Sequence, residues 1–129
     1  MYDLRKYIHI LEAYQEQDST FESDGKLYDL NTLFIETENA PVAYFKVEDL
    51  VWVLEGQDIN YADDSQDALR VREANLTVPI LVTPYKNSSW LVVDGLHRLV
   101  RAIKEEKEFM IGRVVPEESM NRARLGNFS

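Results

Sequence analysis

Apolar positions along this chain change their period several times, and the sharpest change falls near residue 95. Residues 90–93 are an unbroken run of β-formers, Trp-Leu-Val-Val, too short for a helix. Leu96, Leu99, Val100 and Ile103 then recur at i, i+3, i+4 and i+7, which is one face of a helix. Asp94 and Gly95 stand between the two periods, and a glycine can take the backbone angles that a reversal needs. The stretch predicts a buried strand, a one-glycine turn and an amphipathic helix.

The rest of the chain reads by the same logic. Leu4, Tyr7, Ile8 and Leu11, extended by Tyr14, predict a helix over residues 2–17. Residues 15–25 are polar and predict a loop. Residues 26–38 fit two readings, a short helix followed by a strand or one arm of a hairpin. Pro41 closes a turn over residues 37–41, and residues 42–47 predict a strand. Residues 48–55 predict a short helix that buries Leu50, Val51 and Leu54 and stops at Gly56. A polar loop over 57–66 and one or two helical turns over 67–75 follow. Residues 78–83 predict a buried strand with Pro79 at its start, and residues 85–89 a hairpin turn. Residues 109–115 predict the last strand, ended by Pro116, and residues 117–129 a short helix or a frayed tail. The sum is an α+β domain, a small mixed sheet with helices on one side. The N-terminal helix is an accessory that packs on the domain or makes a homodimer contact.

Length and composition narrow the class. A chain of 129 residues with 45% hydrophobic and 29% charged residues is large enough for one real core. Its apolar runs fall far short of a membrane span, and its start lacks a signal-like apolar region, so a cytoplasmic protein with no membrane partner is expected. With no cysteine there is no disulfide and no thiolate metal site. His9 and His97 are too few for a histidine-based zinc site, and His9 reads as a structural residue. The net charge of −9 disfavours nucleic acid as a partner, although Arg98, Arg101, Lys104, Lys107, Arg113, Arg122 and Arg124 recur late in the chain.

Candidate chemistry gathers at the glycine turn. The first turn of a helix carries unpaired N–H groups and the positive end of the helix dipole, so an anion can sit there. The amides of Leu96, His97 and Arg98 would face a phosphate, with the Arg98 guanidinium adding a planar fork of donors. His97 would donate a hydrogen bond or move a proton near neutral pH. Asp94 would hold magnesium or orient His97. The plainer alternative is that Asp94 caps the helix while His97 and Arg98 are solvated. Arg70 is a further candidate for a phosphate or carboxylate, because guanidinium matches both. No Gly-rich Walker loop is present.

Residues 93–98, Val-Asp-Gly-Leu-His-Arg, entered from an apolar strand, resemble the signature of the ParB/sulfiredoxin-like superfamily. Residues 78–82, Val-Pro-Ile-Leu-Val, resemble the segment preceding that signature, and residues 109–115 the strand that closes the fold. The similarity spans residues 40–116, with 1–39 as an N-terminal addition and 117–129 as a tail. It implies a nucleotide-phosphate cradle at Gly95, Leu96, His97 and Arg98. The implied cofactors are a nucleoside triphosphate or diphosphate and magnesium, and the implied activity is that of a phosphotransferase or NTPase with a small-molecule or protein acceptor. In the kinases of this group an acidic residue after the first strand serves as catalytic base, and Glu48 and Asp49 stand at a comparable place, their plainer reading being acids that complement a helix N-terminus. Where sulfiredoxins carry a catalytic cysteine this chain has Leu96, so thiolate repair chemistry is excluded. The alternatives within the resemblance are a ParB-like nuclease or DNA-associated factor, and a non-catalytic phage or plasmid interaction module.

Overall fold

The computed structural model describes residues 20–55 and 66–125, with no side-chain description at positions 66 and 67. The predicted helix over 2–17, His9, Gly56, the loop over 57–65 and the last four residues lie outside them. The chain opens with a hairpin, β1 (Thr20–Ser23) against β2 (Lys26–Asp29). Residues 15–25 were expected to be loop throughout, and from Thr20 onward they are strand and turn. The reason is local: Asp24 and Gly25 both take positive φ, 53° and 74°, the twist that matches two antiparallel strands. Helix α1 (Leu30–Thr37) follows at once, so residues 26–38 are a hairpin arm and then a helix. Asp29 starts it, its carboxylate accepting from the Asn31 amide at 3.3 Å and the Thr32 hydroxyl at 2.8 Å.

Strand β3 (Ala43–Lys46) leads into two 3₁₀ turns, Val47–Asp49 and Val51–Leu54, where a short helix was expected. Their i→i−3 bonds run from the amides of Leu50, Val53 and Glu55 to the carbonyls of Val47, Leu50 and Trp52. The tighter winding buries Val53 together with the expected Leu50, Val51 and Leu54. Helix α2 (Gln66–Glu73) and strand β4 (Ile80–Pro84) come next. A tight turn over Lys86–Ser88 then joins β4 to β5 (Trp90–Asp94). Helix α3 (Leu96–Lys104), strand β6 (Phe109–Val114) and helix α4 (Glu117–Ala123) complete the order.

Four strands make one mixed sheet in the order β3-β6-β4-β5. The β4–β6 pair is parallel, and the β3–β6 and β4–β5 pairs are antiparallel. Period-two alternation sorts the side chains onto two cores. Phe45, Ile80, Val82 and Val92 face one side, against Leu99 and Val100 of α3, Val71 of α2 and the 3₁₀ residues. Leu81 and Val93 face the other, against Phe21 of β1, Leu30 and Leu33 of α1, and Met120 of α4. Helices therefore cover both faces, not one as expected. Strand β4, central and apolar on both sides, could not have left either face to water.

Polar contacts fasten the second layer. Arg113 donates to the carbonyls of Thr37 and Glu38 at 3.4 and 3.0 Å, closing the C-terminal end of α1. Arg122 of α4 pairs with Glu36 of α1, whose carboxylate also accepts from the Ser119 hydroxyl at 2.9 Å. The Leu125 amide donates to the Leu27 carbonyl at 2.8 Å, so the chain is tied to β2 beyond α4. Among the described residues, no helix is long and apolar enough to cross a membrane.

Candidate functional site

The β5–α3 junction is built around Gly95. Its φ of +111° lies in the region that favours glycine, and a Cβ there would stand 2.5 Å from Cγ2 of Ile80. Gly95 therefore turns the chain and lets α3 start directly over β4. Its carbonyl accepts the first helical bond, from the Leu99 amide at 2.9 Å. Gly95 itself holds the N-cap position and has no side chain to cap with, and the first turn of the helix carries no acidic residue. Asp94 stands one position before the cap.

Beside the turn lies a cleft of about 500 Å³. Asp94, Gly95, Leu96, His97 and Arg98 line one side of it. Arg70, Glu73, Ala74 and Asn75 line the other, from the C-terminal end of α2 and the residues after it, and Val78 and Val93 add apolar surface. Six of the residues singled out in the sequence thus meet: Arg70, Asp94, Gly95, Leu96, His97 and Arg98. Glu48 does not join them. It is exposed on the 3₁₀ turn after β3, and the cleft lies by β5, at the opposite edge of the sheet.

The guanidinium of Arg98 is engaged by protein. Its Nη1 donates to the carbonyls of Val78 and Pro79 at 3.1 and 2.6 Å, and its Nη2 to Oδ2 of Asp94 at 2.9 Å. The pair is half-buried, with side chains 18% and 25% exposed. Arg98 is therefore neither a solvated residue nor an open fork. It bolts the approach to β4 onto the helix and leaves its charge beside the cleft. Asp94 is compensated by that charge.

One turn further on, Arg101 does the same for the opposite wall. Its Nη1 donates to the carbonyls of Arg72 and Ala74 at 2.5 and 2.6 Å, and its Nε to Glu105. Carbonyls at a helix C-terminus lack intrahelical donors, and a cation suits the negative end of the dipole. This contact sets the end of α2, and with it Arg70 and Glu73, across from the Gly95 turn. In the sequence Arg101 stands only as one of the late basic residues, and neither Glu73 nor Asn75 stands out. The available signal was the i, i+3 spacing of Arg98 and Arg101 on one side of α3.

Magnesium fits this site poorly as a protein-held ion. Asp94 already pairs with Arg98, and among the described residues no group of three acidic or histidine side chains converges. An anion would meet two arginines, one histidine and the start of α3 around this hollow, beside the carboxylates of Glu73 and Asp94.

The fold and cleft define a small α+β domain with a mixed sheet covered on both faces and an anion-compatible hollow at a strand–glycine–helix turn. Compared with known proteins, the chain matches no family model, no curated protein and no solved structure.

Proposed function

We propose that the cleft binds the phosphate groups of a nucleotide, and that the chain is a phosphotransferase or NTPase of ParB/sulfiredoxin-like type. The observation that carries this reading is the meeting of Arg70 with the Gly95–Arg98 turn, from segments more than twenty positions apart, around one cleft. A cavity of about 500 Å³ is in the size range of small-molecule sites. The amides of the first turn of α3 and the Arg70 guanidinium would hold phosphate oxygens, and His97 would donate to the transferred or leaving phosphate. Arg98 would contribute charge, held in place by Asp94, Val78 and Pro79. Magnesium would arrive only as part of the nucleotide complex, since Asp94 is already paired with Arg98. The resemblance of residues 93–98 to the superfamily signature supports the same assignment.

The test is a thermal-shift panel of adenine, cytidine and guanine nucleotides, with and without magnesium, on the parent chain and on Arg70→Ala and His97→Ala. A ligand that binds only the folded state at one hundred times its Kd stabilises it by about 2.7 kcal/mol. The parent should respond to at least one nucleotide, and both variants should stay folded and respond less. Equal responses from parent and variants, or none from the parent, would reject the assignment.

A further inference from the structure

A second cleft, of about 540 Å³, lies beyond Leu96, which lines both hollows. Its chemistry is the reverse of the first. Three carboxylates line it, Glu22, Asp24 and Glu55, and among the described residues its lining holds no lysine, arginine or histidine. Aromatic surface accompanies the acids. Trp52 and Tyr85 also line it, stacked on one another with ring centroids 5.4 Å apart and an interplanar angle of 22°.

Both rings are held by polar bonds. Trp52 donates from Nε1 to the Trp90 carbonyl at 2.9 Å. The Tyr85 hydroxyl donates to Asp24, whose two oxygens lie 3.1 and 2.8 Å away. Outside the cleft lining, an ammonium of the chain itself already contacts two of these residues: Lys86 Nζ sits 5.3 Å from the Tyr85 ring centroid and 3.8 Å from Asp24 Oδ2. That lysine is 72% exposed, so the contact is weak and easily exchanged.

From this geometry we propose that the second cleft binds a small organic ammonium ion, seated against the Trp52–Tyr85 pair and compensated by Glu22, Asp24 and Glu55. A cation is drawn to an aromatic face by the ring quadrupole, and a carboxylate beside the ring adds to that attraction. Fixed rings need no ordering on binding. The chain's net charge of −9 favours the same sign of ligand. Nothing in this inference rests on the phosphate reading of the first cleft, and either can fail alone.

Choline is the probe, with 3,3-dimethylbutan-1-ol as its uncharged twin of the same shape. Nα-acetyl-trimethyllysine methylamide presents the same headgroup as a peptide would. Binding is read on the full chain by saturation-transfer NMR of the ligand methyl signals at fixed ionic strength. Trp90→Phe, which leaves Trp52 as the single tryptophan, provides a fluorescence readout. Choline should bind saturably and roughly fivefold or more tightly than its twin. Glu22→Gln with Glu55→Gln should remove most of that difference while leaving the bonds of Asp24 intact. Trp52→Leu should weaken binding, and the paired glutamine variant keeps the test decisive if that protein does not fold. Tighter binding of the acetylated amide than of choline would identify a peptide-borne headgroup, and the reverse a free amine; both support the site. Equal binding of choline and its twin, no saturable binding, or indifference to the glutamine pair would overturn it.

Discussion

Arg98 donates to Asp94 at 2.9 Å across the Gly95 turn, and the same guanidinium reaches the carbonyls of Val78 and Pro79. One cation thus joins the end of β5, the start of α3 and the approach to β4. Replacing it leaves two carbonyls and a carboxylate without their donor. Arg98→Ala should cost about 1–3 kcal/mol in urea unfolding, the range for an unsatisfied half-buried group. Arg98→Lys should restore only part of it, because a point charge cannot copy the planar fork. If Arg98→Ala unfolds with the parent's midpoint, the guanidinium is not structural.

Two glycines at positive φ separate strain from crowding. Gly25 has nothing within 4 Å of an added Cβ, whereas Gly95 would place one 2.5 Å from Ile80. Gly25→Ala should therefore cost about 1–2 kcal/mol, from the left-handed backbone alone. Gly95→Ala carries that same strain plus about 1–3 kcal/mol of overpacking against the core. Equal losses for the two variants in chemical denaturation would show that Ile80 moves aside freely.

Arg101 holds the end of α2 through the carbonyls of Arg72 and Ala74. In Arg101→Gln the amides of α2 should exchange with solvent roughly tenfold faster, equivalent to about 1.4 kcal/mol of local stability. Those of β4 and β6, in the middle of the sheet, should be nearly unchanged. Nucleotide binding at the first cleft should weaken as well, since Arg70 and Glu73 lose their fixed position. Unaltered exchange in α2 would show that packing alone holds that helix.

The Glu36–Arg122 pair predicts an acid-sensitive seam between α1 and α4. The Arg122 guanidinium, then the Ser119 hydroxyl, hold the Glu36 carboxyl below its ordinary pKa, and the pair raises that of Arg122. A carboxyl with a lower pKa folded than unfolded stabilises the fold above the ordinary carboxylate range. That contribution is lost as the pH falls through the folded value. Stability of the parent should therefore decline more steeply on acidification than that of Glu36→Gln, with the two curves converging at low pH. Parallel curves from neutral to acid pH would show that the pair is energetically silent.

Much of the fold was legible because its signals are local. The 90–93 run, the break at Gly95 and the Leu96–Ile103 stripe each need only neighbours in the chain, and β5 and α3 form where those patterns stand. The Asp24–Gly25 turn was equally local, but its flanking residues are short and mixed in polarity, so the hairpin did not stand out from loop. The 3₁₀ turns over Val47–Leu54 share their apolar spacing with a short helix, and burial against the sheet selects the tighter form.

Sequence by itself determined the strand–glycine–helix turn, because backbone angles and period are set within a few residues. Tertiary structure alone decided which charges meet there. It brought Arg70 to the turn, kept Glu48 at the far edge of the sheet, and gave Arg98 and Arg101 backbone carbonyls as partners. A guanidinium has the same chemistry wherever it occurs in the chain. Whether it faces an anion, a carboxylate or a carbonyl depends on segments that only packing brings within three ångströms.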